Sequence, residues 1–349
     1  MIELTALLLV ATFAVAVSLF FTFTNGFHDA SSIVATQIAC GAASPRAAVI
    51  NAAIFGMAGA IIGGSAVAYT IQGIVDLEVG EELIIVIAAA VLGASAWNIF
   101  TWWIGLPSSS THALIGGLIG AAIASSGIER INWGVAELVE PPHELVGLMK
   151  VFLFLFVSIL IGLAGGFAVQ RGSRILLRNA DRKMNRPIKR SQWIVTSLLA
   201  FSHGSNDTQK QIGLIALILF AGGYIETLGI PLWVRIACGA MMLAGTVGGG
   251  WKIMKTLGRK IFPLEPIHGL NSQISSASSI LISTVAGAPI STTQVVASSV
   301  MGVGAAENAK MVQWSVGKDM LIAWLMTIPV AALLSAGTYF LLNWLYQFS

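Results

Sequence analysis

The sequence predicts an all-α polytopic membrane protein built from two inverted-topology repeats, with broken helices and two re-entrant helical hairpins whose tips carry proline, serine and threonine. Three observations point there. Hydrophobic residues make up 56% of the 349 and charged residues 10%, with a mean hydropathy of +0.83, so the bilayer is the solvent. Apolar stretches near the ~20 residues of a spanning helix recur along the chain. The chain also repeats itself at a constant offset, with the charge of its loops reversed.

The apolar stretches are 4–23, 47–68, 83–101, 151–169, 232–250 and 321–342. The first carries Glu3 where a secretory leader would be basic, so it is expected to remain as a helix. Cys40 and Cys238 sit inside apolar sequence without metal-ligand spacing and are expected to be structural thiols. Eight of the 19 Lys and Arg residues fall within 171–190, where Asp181 is the one acid. Between membrane helices such a cluster marks a cytoplasmic loop rather than a nucleic-acid surface. It divides the chain into a first repeat (1–170), a basic cytoplasmic linker (171–190) and a second repeat (191–349).

The duplication shows in two pairs of segments. NGFHDASS (25–32) matches HGSNDTQK (203–210), and GLPSSSTHALIGGLIG (105–120) matches GAPISTTQVVASSVMG (287–302). The offsets, 178 from Asp29 to Asp207 and 182 from Pro107 to Pro289, belong to one long repeat. Asp76, Glu78, Glu81 and Glu82 crowd one loop, whereas its counterpart holds Lys252, Lys255, Arg259 and Lys260. Glu129, Glu137, Glu140 and Glu144 accompany a single Arg130, against Lys310 and Lys318 beside Glu307 and Asp319. Opposite bias puts matching loops on opposite sides. The repeats are then inverted, both termini face outward from the cell membrane and the linker is cytoplasmic, an organisation typical of secondary transporters.

Of the 16 acidic residues, Asp29 and Asp207 alone are embedded in apolar helical sequence, and they are repeat mates. A carboxylate at membrane depth costs at least ~2.5 kcal/mol on insertion scales, so a cation, a proton or water is expected beside it; a purely structural carboxylate is the plainer alternative. Each aspartate follows a glycine and polar side chains (Asn25 and His28; His203, Ser205 and Asn206) that are expected to interrupt the helix. Backbone oxygens freed there, with Asp, Asn, Ser and Thr oxygens, suit a hard cation such as sodium at Asp29 and Asp207.

Pro107 and Pro289 each begin a new helical stretch, followed by Ser109, Ser110, Thr111 and by Ser291, Thr292, Thr293. Free N–H groups at a helix N-terminus, with hydroxyls beside them, form an anion site that needs no arginine and fits phosphate oxygens. The hairpins 83–126 and 269–306 would bring these tips deep into the membrane, one gate toward each side. Lys210 lies three residues after Asp207, placed either to meet the anion or to pair with the aspartate, and its repeat mate is Ser32. His28 and His203 are either proton carriers or hydrogen-bond donors. The ten tryptophans, among them Trp97, Trp103, Trp133, Trp233, Trp251 and Trp344, read as interfacial anchors. No paired carboxylates on one helix, His/Cys metal set or triad points to an enzyme, and no cofactor is expected beyond a co-transported ion.

With these motifs together, the chain resembles the inorganic phosphate transporter (PiT) family of sodium- or proton-coupled symporters, in its prokaryotic form, over essentially its whole length. The resemblance implies an inverted-repeat transporter that moves inorganic phosphate with sodium or protons, and a homodimer in the bilayer; import of phosphate by symport with sodium is the first choice. The resemblance also implies Asp29 and Asp207 as the matching motif acids, with Asn25, Asn206 and Gln211 nearby; joined to the residue chemistry above, this gives expected cation ligands at Asn25, Asp29, Ser32, Asn206 and Asp207, and expected phosphate ligands at Ser109, Ser110, Thr111, Ser291, Thr292, Thr293 and Gln211. Many members have Ala-Asn after the first motif aspartate where this chain has Ser31 and Ser32. The alternatives are proton-coupled phosphate or metal-phosphate symport, a sulfate permease of the same family and, from another class, an anion channel.

Overall fold

Apolar residues outnumber what any aqueous core needs, and the chain uses the excess as an outer coat of helices around a polar centre. The computed structural model describes residues 2–141 and 143–347, without the side chains of residues 2–5, 182, 251 and 252, so the side chains of Glu3, Trp251 and Lys252 lie outside the described residues. Thirteen α-helices are found among the described residues. The first half holds α1 (Ile2–Ala39), α2 (Pro45–Ile62), α3 (Ala66–Gln72), α4 (Glu81–Ile104), α5 (Ser110–Ser126), the short α6 (Val135–Val139) and α7 (Gly147–Leu176). The second holds α8 (Asn185–Ala221), α9 (Leu232–Gly248), α10 (Trp251–Lys255), α11 (Pro266–Val285), α12 (Thr292–Asn308) and α13 (Trp314–Gln347). Five of them are long and apolar enough to cross a membrane: α1, α2, α4, α7 and α13. A sixth span forms if α9 is counted with the segment bent 70° from it. The basic segment 171–190 is mostly helix, because α7 runs on to Leu176 and α8 begins at Asn185.

The packing repeats when the halves are exchanged. α1 lies on α4 and α9, as α8 lies on α11 and α2; α13 covers α4 and α5, as α7 covers α11 and α12. Each hairpin, α4–α5 and α11–α12, is therefore held by the last long helix of the other half. α1 and α8, which carry the two aspartates, pack on each other between the hairpins.

The helix breaks are not where the sequence placed them. α1 and α8 run unbroken through both aspartate motifs. The interruptions fall in their neighbours, between α2 and α3 at residues 63–65 and between α9 and α10 at 249–250. A glycine in a motif permits a helix break or a close helix crossing, and here it does the second. A Cβ on Gly204 would lie 2.0 Å from the Gly56 carbonyl oxygen on α2, and one on Gly26 would lie 2.6 Å from that of Met242 on α9.

The polar motif residues serve the break next door. Gln209 donates to the Gly63 carbonyl (2.8 Å) and accepts from Val67 N–H (2.9 Å), bridging the two sides of the α2–α3 gap. Arg235 of α9 donates to the Gly64 carbonyl (2.6 Å) and to Ser65 Oγ. Backbone groups freed at membrane depth are thereby satisfied by protein.

Trp103, Trp133, Trp233 and Trp344 are exposed, as anchors should be. Trp97 is not an anchor: it is buried and donates to Thr327 Oγ1 at 3.1 Å, because an indole N–H inside the protein needs an acceptor.

Candidate functional site

The hairpin turns deliver hydroxyls to the two carboxylates. The chain leaves α4 through Gly105 in the left-handed conformation (φ 77°) and re-enters helix at the N-cap Ser109; α12 is likewise capped by Ser291. The cap oxygens accept from their own helices, Ser109 Oγ from His112 N–H (3.2 Å) and Ser291 Oγ from Gln294 N–H (3.4 Å). Their lone pairs are taken up by orphan donors of the first turn. The next two residues of each tip point into the centre.

Asp29 Oδ2 accepts from Ser110 Oγ (2.5 Å), and Oδ1 accepts from Thr293 Oγ1 (3.0 Å). Ser110 and Thr293 belong to different hairpins, so one carboxylate is bonded to both halves. His28 Nδ1 is 2.8 Å from Asp29 Oδ1. Asp207 Oδ2 accepts from Thr292 Oγ1 (2.8 Å) and lies 2.8 Å from His203 Nδ1. Its other oxygen is ion-paired with Lys210. Lys210 Nζ also donates to Thr111 Oγ1 (2.5 Å) and to the Ile290 carbonyl (2.8 Å). Asp207, expected from sequence as a sodium ligand, thus already faces a lysine ammonium.

The tips meet. Thr111 Oγ1 donates to the Ile290 carbonyl at 2.9 Å, and the repeat mates His112 and Gln294 face each other at 3.4 Å. Asn206 pins the second tip, donating to Thr284 Oγ1 and the Ala288 carbonyl (both 3.0 Å) and accepting from Ile290 N–H (3.3 Å). Its mate His28 does the same for the first tip through Nε2, 3.1 Å from Ser108 Oγ and 3.3 Å from Thr101 Oγ1.

All twelve residues named from sequence as ligands are buried, but not all converge. Ser110, Thr111, Thr292 and Thr293 do, with Asp29 and Asp207. Asn206 spends its amide on the tip backbone. Ser32 Oγ donates to the Asp29 main-chain carbonyl (2.7 Å) rather than to its carboxylate. Gln211 turns onto its own helix, its amide nitrogen toward the carbonyls of Asp207 (2.5 Å) and Thr208 (3.3 Å), because a carbonyl one turn back is the nearest acceptor. Asn25 Oδ1, His203 Nε2 and Gln294 Oε1 are buried without a hydrogen-bond partner among the described residues.

Three contributors went unrecognised in the sequence. His112 and Gln294 form the seam, and the 182-residue offset links them. Trp324 of α13 donates to the Pro107 carbonyl (3.1 Å) and steadies the first tip from outside its half; a tryptophan in an apolar run carries no signal of that role.

Comparison with known proteins gives the family and the fold. The profile of the phosphate transporter family matches residues 25–335. A protein of Bacillus subtilis described as "Probable low-affinity inorganic phosphate transporter" is 38% identical over 343 residues, 97% of this chain and 99% of its own. One of Rhizobium meliloti with the same description is 38% identical, covering 93% of this chain and 94% of its own. A solved structure described as "The sodium-dependent phosphate transporter" superposes with a TM-score of 0.78 at 25% identity, over 96% of this chain and 99% of that one. The match over most of the chain, on a multi-pass helical frame whose centre joins two carboxylates to two hydroxyl-tipped hairpins, places it: this chain belongs to the phosphate transporter family.

Proposed function

We propose that the protein is a secondary active transporter that imports inorganic phosphate by symport with sodium, alternating access around the site where the hairpin tips meet. The observation that carries the reading is Asp29, a buried carboxylate bonded by Ser110 of one hairpin and Thr293 of the other. A cation gathered there draws both tips to one point and offsets the negative charge that phosphate brings. Phosphate then takes N–H and hydroxyl donors of the α5 and α12 N-termini, which carry partial positive charge. Coupling follows because each ion is poorly held without the other. The similar solved structure is of a transporter described as sodium-dependent, which supports sodium as the partner.

In this reading the two halves are inverted in the cell membrane, the termini face outward, 171–190 is cytoplasmic and the protein works as a homodimer. Thiol labelling of single cysteines introduced at Glu226 and Arg178 tests the orientation, since only the first should react from outside.

A second reading, proton coupling, is favoured by one observation. Both carboxylates have a histidine Nδ1 at 2.8 Å, an arrangement able to hold a shared proton. The deciding experiment is radiolabelled phosphate uptake into proteoliposomes under an inward sodium gradient, a matched proton gradient, no gradient, and sodium with excess sulfate. Accumulation with sodium alone, unaffected by sulfate, is the expected result. Accumulation with protons alone would transfer the coupling to the His–Asp pairs; inhibition by sulfate or gradient-independent flux would make the protein a sulfate carrier or a channel.

A further inference from the structure

We propose that Lys210 is a built-in cation, filling in the second half the position that an exchangeable cation takes beside Asp29 in the first. The proposal deepens the symport reading and rests on it for the identity of the first-half ion.

The repeat mates at the centre can be compared one by one. Asp29 corresponds to Asp207, Ser110 to Thr292, Thr293 to Thr111, Ser108 to Ile290 and Ser32 to Lys210. Within each half the first hydroxyl bonds the local carboxylate, Ser110 to Asp29 and Thr292 to Asp207. Across the halves the symmetry fails. Thr293 donates directly to Asp29 at 3.0 Å. Thr111 instead donates to the Ile290 carbonyl, and Lys210 Nζ bonds Asp207, Thr111 Oγ1 and that same carbonyl.

Three acceptors surround this nitrogen, and only an ammonium has three hydrogens to give; a neutral amine has two. Carboxylate, hydroxyl and backbone carbonyl are also the oxygens a hard metal cation collects. The lysine therefore sits in a small cage of cation-type ligands. By the repeat, the corresponding oxygens of the first half are the Asp29 carboxylate, Thr293 Oγ1 and the Ser108 carbonyl, and there Ser32 carries no charge; its hydroxyl bonds the Asp29 main-chain carbonyl. The histidines stand equally close but on different oxygens: His28 Nδ1 shares Asp29 Oδ1 with Thr293 of the other half, whereas His203 Nδ1 shares Asp207 Oδ2 with Thr292 of its own half and leaves Oδ1 to Lys210. The first half is left to take its cation from solution, and the Asp207–Lys210 pair supplies the second charge without exchange. Each cycle then carries one cation fewer than two free carboxylates would bind.

The test is equilibrium binding of radiolabelled sodium to the purified full-length protein in detergent, counted per chain for the wild type, Lys210→Ser and Lys210→Arg. Lys210→Ser copies the first half and is expected to bind one sodium more than the wild type, the extra ion disappearing when Asp207→Asn is added. Lys210→Arg, which keeps a cation, should gain none. An unchanged count in a folded Lys210→Ser protein would overturn the proposal. If that variant does not survive purification, Lys210→Asn keeps a hydrogen-bonding group and the same gain is expected. The symport reading is judged separately: a wild type that binds no sodium sinks sodium coupling, while the difference between variant and wild type still decides the role of Lys210.

Discussion

Substituting Gly204 by alanine distinguishes the two roles a motif glycine can have. The new methyl would stand 2.0 Å from the carbonyl oxygen of Gly56 and 2.7 Å from its carbon, both backbone atoms that no rotamer change can clear. To reach an ordinary contact of ~3.5 Å, α8 and α2 must part by about 1.5 Å. Overpacking of this kind costs ~1–3 kcal/mol, so the melting temperature should fall by several degrees. Asp207 lies on the same helix three residues on, and a displacement near 1 Å at a reacting or binding group can cost about 100-fold. The assay is thermal unfolding in detergent, followed by phosphate uptake in proteoliposomes. Gly172→Ala and Gly337→Ala are the controls, because a methyl at either meets nothing within 4 Å. There the helical preference of alanine should add ~0.5–1 kcal/mol. A Gly204→Ala protein that melts higher than wild type would refute the close-crossing argument and restore the glycine as a helix breaker.

Other variants probe the site. Ser110→Ala and Thr293→Val each remove one donor to the Asp29 carboxylate, worth ~1.5–3 kcal/mol for a bond to a charged group; the sodium concentration for half-maximal uptake should rise about 10- to 100-fold, and an unchanged sodium dependence would remove Asp29 from the cation site. Ser109→Ala and Ser291→Ala delete N-caps, so they should cost ~1 kcal/mol of stability and act mainly on the melting temperature; a rise in phosphate requirement at unaltered stability would return both serines to the anion site. His28→Asn installs the amide that Asn206 already uses on the other tip. It should weaken uptake by only the ~1 kcal/mol of a neutral hydrogen bond, with the pH profile preserved, and a complete loss of uptake would identify His28 as a proton carrier.

The long apolar runs made α1, α4, α7 and α13 legible, since length and hydropathy suffice for a helix that faces lipid. The hairpins followed from the proline tips. What could not be read was where α2 and α9 break: the groups that make the first break tolerable, Gln209 and Arg235, are more than 140 residues from the carbonyls they satisfy. The hydroxyl tips were legible as a set but not in register. In Ser108-Ser109-Ser110 any residue could be the cap, and a shift of one exchanges a side chain that caps a helix for one that bonds Asp29. Lys210 was visible as a charge beside the motif aspartate whose repeat mate, Ser32, carries none, yet the choice between anion and aspartate needed the tip of the other hairpin in place.

The exchange-symmetric packing has a consequence for the resting protein. Two identical halves of opposite orientation would make the form opened to one side the twin of the form opened to the other, equal in free energy and equally populated. Lys210 against Ser32 lifts that degeneracy at the centre, where the tips must separate. In the proposed alternating-access reading, parting the seam on one side would break a bond between an ammonium and the opposite tip, and parting it on the other a bond between a hydroxyl and a carboxylate. In that reading, Lys210 against Ser32 is one of the side-chain differences that set which way an unloaded carrier faces.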